Sequence, residues 1–175
     1  VGDALLFKGF SLLSTAAERG VPQEKMPLVM AIIKDMFFEL GDAEAMELTL
    51  RGRIDILPKM YLYVVKKKAA DVEAHTRIGA VLGGGSKEEI EVMGRFGRML
   101  GMMIILRDDW IDLMDPEESR HRIKQESLPL PILYGMRDSQ VNSKLRPVLL
   151  RDFIRKRDTQ TILQIISESR AMRQY

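Results

Sequence analysis

The chain has 175 residues, of which 46% are apolar and 30% charged, and this composition indicates one globular domain spanning residues 1–175. A net charge of only +2 excludes a strongly basic nucleic-acid-binding surface, and no apolar run approaches the roughly 20 residues of a membrane span. The absence of cysteine excludes disulfides and thiolate metal sites and is typical of a reducing compartment, so we expect a cytoplasmic protein.

Apolar residues recur at three- and four-residue spacing along the first half of the chain, which predicts helices. Four helices are expected there, over residues 3–18, 24–40, 42–52 and 58–82. Pro58 suits the first turn of the fourth helix, and glycines are expected to end three of the four. These stops are Gly20, Gly41 and the triplet 83–85.

The second half of the chain begins with a long predicted helix from Ser86 to about Met114. Ser86 and Glu89 form a capping-box pattern at its start, and Asp115-Pro116 is expected to end it. A proline-punctuated link over 127–133 and two helices over 141–156 and 159–172 complete the prediction. Strand alternation is not sustained anywhere in the sequence, so we predict an all-α fold.

The long helix combines an apolar run with a cluster of acids. Residues 99–106 are apolar on nearly every side, so we expect them to be buried all round in the centre of a helical bundle. Asp108, Asp109 and Asp112 follow; Asp108 and Asp112 share one face and repel each other unless a cation lies between them. Mg²⁺ with diphosphate oxygens as further ligands would relieve that repulsion. The alternative is that the acids are simply solvated.

Basic residues are the other candidates for binding phosphate groups. Lys66, Lys67 and Lys68 lie within an otherwise apolar helix, where they either extend to solvent or meet phosphates. The cations at 120–122 are interpreted as surface charge. His75 is interpreted as structural, because two histidines are too few for a histidine metal site.

Taken in order, these segments resemble the trans-isoprenyl diphosphate synthases, or polyprenyl synthetases. The matching elements are Gly2-Asp3-Ala4-Leu5, Lys67-Lys68-Ala69 with Gly79-Ala80, Phe96-Gly97-Arg98-Met99-Leu100-Gly101 with Asp108-Asp109-Trp110-Ile111-Asp112, and Ser127-Leu128-Pro129. The resemblance covers nearly the whole chain. It implies an antiparallel helical bundle of the isoprenoid synthase type whose N-terminal helices are missing, because the family's first aspartate-rich motif lies upstream of Gly2-Asp3.

The resemblance also implies an activity. Family members condense isopentenyl diphosphate with an allylic diphosphate by Mg²⁺-assisted ionisation, giving a longer polyprenyl diphosphate, and they are usually homodimers. Carried onto this sequence, Asp108 and Asp112 would bind Mg²⁺, with Asp109 supporting the metal site. Lys67 would bind the allylic diphosphate, and Lys124 is a further diphosphate-binding candidate. Asp108, Asp112 and Lys67 would form the catalytic set.

Several departures from the family pattern leave other hypotheses open. Ile105 stands where the family has a glutamine, Lys68 replaces a threonine, and Gln125 occupies a lysine position with Lys124 beside it. A chain without the first aspartate-rich motif would be inactive alone. It would then be the C-terminal part of a synthase, or a non-catalytic prenyl-synthase-like subunit that needs a partner chain. A purely structural bundle with incidental acids is the third hypothesis.

Overall fold

Nine α-helices make up most of residues 2–169, the part of the chain that the computed structural model describes, and this range contains no strand. The helices are α1 Gly2–Ser14, α2 Met26–Leu50, α3 Pro58–Lys68, α4 Ala70–Leu82, α5 Lys87–Met114, α6 Pro116–Gln125, α7 Leu130–Gly135, α8 Ser139–Leu149 and α9 Lys156–Glu168. The predicted all-α class is confirmed. None of the helices in this range is long and apolar enough to cross a membrane.

Helix α2 is continuous over 25 residues, so the prediction that Gly41 ends a helix there is wrong. A glycine inside a helix costs about 1 kcal/mol relative to alanine, which tertiary packing can offset. Packing is available on both sides of Gly41, because α2 buries Ile32 before it and Ala43 and Leu50 after it. Helix α1 ends at Ser14, earlier than predicted, and two short 3-10 turns lead from it to α2.

The predicted helix over 58–82 is divided into α3 and α4 at Ala69. Its start at Pro58 and its end before the glycines are confirmed. Ala69 has a ψ angle of 4° and is fully buried against Gly101 of α5, where a Cβ added at Gly101 would lie 2.8 Å from the Ala69 Cβ. The close approach of α5 accompanies the break, and no glycine or proline in the sequence marks it.

Helix α5 has the predicted bounds and the predicted capping box. The Ser86 hydroxyl accepts from the Glu89 N–H at 3.2 Å, and the Glu89 carboxylate accepts from the Ser86 N–H at 2.7 Å. The sequence prediction missed α6, because it used Asp115 only as the end of α5, whereas Asp115 is also the N-cap of the next helix. Its carboxylate accepts from the N–H groups of Glu117 and Glu118 at 2.8 and 3.2 Å. Helix α7 replaces most of the predicted link.

The two C-terminal helices are shifted from their predicted ranges. Helix α8 stops at Leu149 instead of 156, and α9 starts at Lys156. Asp158 explains the start of α9, since its carboxylate accepts from the N–H of Arg155 at 2.8 Å. Positions 170–172 of the predicted last helix lie outside the described residues.

Helices α3 and α4 run antiparallel to α5 along one side of it. Tyr61 contacts Asp109 near the end of α5, and the Thr76 hydroxyl donates to the Met93 carbonyl near its start. The main core joins α3 and the end of α5 to the last three helices through fully buried residues such as Leu113, Ile132 and Ile162.

The expectation that residues 99–106 are buried on all sides is wrong. Met99 and Met103 are 65% and 66% exposed. Within residues 2–169, α3 and α4 cover one face of α5, whereas an apolar face carrying Phe96, Met99 and Met103 stays open.

Candidate functional site

The centre of the site is a buried carboxylate, Asp109, near the end of α5. Its side chain is completely buried, and both of its oxygens lie 2.7 Å from the Tyr61 hydroxyl on α3. The Arg122 guanidinium on α6 donates to Oδ1 at 2.6 Å, and the Leu130 N–H lies 3.4 Å from Oδ2. Three other segments of the chain therefore converge on this carboxylate of α5.

Arg122 connects this buried carboxylate to the more exposed part of the motif. Its Nη1 donates to Asp112 Oδ2 at 2.9 Å, its Nη2 lies 3.2 Å from the Tyr61 hydroxyl, and its Nε lies 3.2 Å from Glu126. The Arg122 side chain is only 13% exposed. The interpretation of residue 122 as surface charge is therefore wrong, because α6 turns this side chain inward between the aspartates.

Burial and charge shape the protonation of this cluster. Burial raises the pKa of Asp109 above its ordinary value, while Arg122 and Tyr61 act in the opposite direction. Burial and the neighbouring Asp109 charge raise the pKa of Tyr61 well above its ordinary value. Burial acts to lower the pKa of Arg122, but the opposing effects of Asp109 and Tyr61 are larger, so its pKa is raised above the ordinary value. The Arg122 guanidinium is therefore charged at every physiological pH, and the Tyr61 hydroxyl keeps its proton.

Asp108 and Asp112 occupy the accessible side of the same helix end. Asp108 is about half exposed and accepts from its neighbour Arg107 at 2.8 and 3.1 Å. Asp112 is 30% exposed and contacts Arg122 through Oδ2. Four residues apart on α5, the two carboxylates face the same way.

The lysines of α3 are engaged in ion pairs with α2. Lys67 Nζ lies 3.1 Å from Asp42, which raises the pKa of Lys67, and it also sits 5.7 Å from the centre of the Tyr63 ring. Lys68 contacts Glu47 and Glu44. A rise of 1.5 Å per residue places Lys67 about 9 Å along α3 from Tyr61. It is thus on the helix that supports Asp109, with its ammonium directed to Asp42.

Lys124 lies apart from the aspartates. Its ammonium donates to the backbone carbonyl groups of Leu149 and Arg151 at the end of α8. Residues two apart on a helix do not share a face, so the inward position of Arg122 directs Lys124 elsewhere. The structure brings the three aspartates together and leaves Lys124 outside the cluster.

The donor set fits Mg²⁺ in part. Protein sites for Mg²⁺ commonly supply one or two carboxylates, and substrate phosphates and waters complete the octahedron. Asp108 and Asp112 meet that requirement, whereas Asp109 is buried and its oxygens already accept from Tyr61 and Arg122. Across residues 2–169, no group of three acidic, histidine or cysteine side chains is arranged to hold a metal ion.

Sequence reasoning missed Tyr61 and Arg122, the two residues that organise the aspartates. A signal for α6 was present: Asp115-Pro116-Glu117-Glu118 combines an N-cap, a proline at N1 and first-turn acids. Recognising that helix would have allowed Arg122 to be placed on its inward face, while Arg120 and His121 remain on the exposed side as interpreted. Tyr61 had no comparable signal, because its hydroxyl partner lies 48 residues away.

Comparison with known proteins now identifies the family. The sequence model of the polyprenyl synthetase family matches residues 1–166. The chain is also 31% identical over 119 residues to the short chain isoprenyl diphosphate synthase of Methanothermobacter thermautotrophicus, an alignment covering 67% of this chain and 35% of that protein. It is 31% identical over 118 residues to the geranylgeranyl diphosphate synthase of Sulfolobus acidocaldarius, covering 67% and 36%. The chain therefore belongs to the polyprenyl synthetase family.

Solved structures share the fold. The geranylgeranyl pyrophosphate synthetase of Pyrococcus horikoshii superposes with a TM-score of 0.81 at 21% identity, covering 98% of this chain and 54% of that one. A decaprenyl diphosphate synthase from Rhodobacter capsulatus superposes with a TM-score of 0.70 at 20% identity, covering 83% and 46%. These likenesses confirm the isoprenoid-synthase helical fold. The chain covers little more than a third of the two curated relatives and about half of the two solved structures.

Proposed function

We propose that this chain carries one half of the active site of a trans-prenyl diphosphate synthase, which condenses isopentenyl diphosphate with an allylic diphosphate. The observation that carries the proposal is the position of Asp108 and Asp112. They form an accessible carboxylate pair at the end of α5, in a chain of the polyprenyl synthetase family. The buried contacts of Asp109 hold that helix end against α3 and α6.

Each residue has a defined task in this proposal. Asp108 and Asp112 hold Mg²⁺, and Asp109 keeps the helix end in place from beneath. When bound, Mg²⁺ supplies positive charge that stabilises a diphosphate leaving group. Lys67 binds the allylic diphosphate once its ammonium leaves Asp42. The Asp42 side chain is 70% exposed, so this ion pair costs little to break. Lys124 joins the diphosphate only if it first releases its two backbone carbonyls.

The open apolar face of α5 supports the same proposal. Phe96, Met99 and Met103 are all more than half exposed and lie on the helix that carries the aspartates. An apolar wall beside a diphosphate site suits a prenyl chain and keeps water from a reacting allylic cation. We further propose a homodimer, as the family resemblance implies, and a cytoplasmic location, as expected from the absence of cysteine in the sequence.

A second candidate is a prenyl-synthase-like subunit that binds ligand without catalysing the condensation. Ile105 is apolar where the family has a glutamine. The Lys68 ammonium is engaged in ion pairs with Glu44 and Glu47. In this candidate a partner chain supplies the first aspartate-rich motif. Product formation from labelled isopentenyl diphosphate distinguishes the two candidates. Assayed without any other protein, the longest native form makes product if it is a synthase and makes none if it is a non-catalytic subunit.

The half-site itself is tested by titration calorimetry of inorganic pyrophosphate with and without Mg²⁺. We expect Mg²⁺-dependent binding that the Asp108→Asn/Asp112→Asn variant loses. The matched control is Asp35→Asn/Asp152→Asn, which changes the net charge equally at exposed positions outside the motif. Pyrophosphate binding that does not depend on Mg²⁺, or that the control variant weakens as much as the Asp108→Asn/Asp112→Asn variant does, would contradict the proposal.

A further inference from the structure

Arg122 places a fixed positive charge where the acidic motif would otherwise need a metal ion. Its guanidinium bridges Asp109 at 2.6 Å and Asp112 at 2.9 Å, so it already relieves part of the repulsion among the three aspartates. We infer that Arg122 is an internal counter-ion that positions Asp112 without metal and lowers the affinity of the Asp108–Asp112 pair for Mg²⁺. This inference rests on the proposed function.

The two contacts of Arg122 differ in strength. Asp109 is completely buried, and removing one partner of a buried ion pair leaves an uncompensated charge, so the Arg122–Asp109 contact is the anchor. The Tyr61 hydroxyl, 3.2 Å from Nη2, further restrains the guanidinium. Asp112 is partly exposed, so its contact with Arg122 is the one that can yield.

A dication bound by Asp108 and Asp112 therefore meets two obstacles. The oxygen Oδ2 of Asp112 is already accepting from Nη1, and the guanidinium behind it repels a second positive charge. Because Arg122 is anchored by Asp109, it cannot simply move away. The affinity of the Asp108–Asp112 pair for Mg²⁺ is therefore lowered, while the end of α5 stays ordered in the absence of metal.

Arg107 provides an internal comparison. It is also an arginine, it directly precedes the acidic motif and it pairs with Asp108 at 2.8 Å, but its side chain is 66% exposed. A solvated surface pair contributes little and is screened by salt. Removing the Arg107 charge should therefore leave the metal affinity almost unchanged.

The test measures Mg²⁺ affinity by titration calorimetry at fixed inorganic pyrophosphate. The main variant is Asp109→Asn/Arg122→Gln, which removes both buried charges and keeps hydrogen-bonding groups, so that no carboxylate is left uncompensated. We expect it to bind Mg²⁺ about fivefold or more tightly than wild type, because the charges removed at Asp109 and Arg122 cancel while Oδ2 of Asp112 no longer accepts from Nη1. Arg107→Gln is expected to stay within about twofold.

The outcomes separate the two proposals. Equal or weaker Mg²⁺ affinity in a folded Asp109→Asn/Arg122→Gln variant overturns the role of Arg122 and leaves the proposed function standing, since a purely structural arginine predicts that result. Mg²⁺-dependent binding in neither wild type nor variants overturns both. If circular dichroism shows that the main variant is unfolded, Asp109→Leu/Arg122→Met replaces the pair with apolar side chains. The same increase in affinity is then required of it.

Discussion

The hydroxyl of Tyr61 lies 2.7 Å from both carboxylate oxygens of Asp109, although 48 residues separate the two along the chain. This contact joins α3 to α5 at the level of the acidic motif. It also gives the middle aspartate a different environment from Asp108 and Asp112, which face the accessible side. Three neighbouring acids in the sequence thus divide into one structural carboxylate and two that are available to a ligand.

Removing the Tyr61 hydroxyl should destabilise the fold. In Tyr61→Phe the buried Asp109 loses a donor, and a buried acceptor that loses its partner costs about 1–3 kcal/mol. We expect a lower free energy of unfolding in urea by that amount. Tyr63→Phe is the matched control, because Tyr63 lies on the same helix and is 52% exposed. Equal stability of the two variants would show that the Tyr61–Asp109 contact contributes nothing.

A side chain at Gly97 should destabilise the packing of α4 against α5. A Cβ added there would lie 2.7 Å from the Val72 carbonyl oxygen and 2.9 Å from the Glu73 Cα, both backbone atoms of α4. The helices must separate, and overpacking of this kind costs about 1–3 kcal/mol. We expect Gly97→Ala to lower the thermal unfolding midpoint.

The control for that substitution is Gly41→Ala in the middle of α2. An added Cβ at Gly41 has no atom within 4 Å, so only the helix propensity changes. That change favours alanine by up to about 1 kcal/mol. The two alanines should therefore move the midpoint in opposite directions, and a shared direction would contradict the packing argument.

The ion pair between Lys67 and Asp42 should compete with diphosphate binding. If Lys67 contacts the diphosphate, Lys67→Ala should weaken pyrophosphate binding about tenfold, the cost of one charge-assisted hydrogen bond. Asp42→Asn should strengthen binding, because it releases the ammonium from its 3.1 Å contact. Lys66→Ala is the control, since Lys66 is exposed on the same helix. Equal effects of the two lysine variants in calorimetry would remove Lys67 from the site.

The sequence could predict the parts of this fold that depend on local signals. The all-α class, the capping box at Ser86 and Glu89 and the end of α5 all follow from periodicity and capping chemistry, which need no distant partner. The continuity of α2 across Gly41 and the break at Ala69 depend instead on how neighbouring helices pack. Local propensity points the wrong way at both positions.

The candidate site likewise has some features that follow from local sequence and others that depend on how the helices pack. The spacing of Asp108 and Asp112 on one helix face is a local property and was readable from the sequence. The burial of Asp109 and the inward position of Arg122 require α3 and α6 to be docked on α5. The open apolar face of α5 shows a further limit, because an apolar run predicts burial without specifying which segment covers it.

The stability of the last helix should depend on pH through Asp158. The Arg155 N–H donates to its carboxylate at 2.8 Å and Arg151 pairs with it, and together they lower the pKa of Asp158. A carboxyl group with a depressed folded pKa stabilises the fold above its unfolded pKa of about 4, and that contribution is lost as the pH falls through the folded value. The free-energy difference between wild type and Asp158→Asn should therefore be constant from pH 7 to about 5 and shrink below about pH 4. A wild-type advantage over Asp158→Asn that grows as the pH falls would mean that the pKa of Asp158 is raised in the folded state, not lowered.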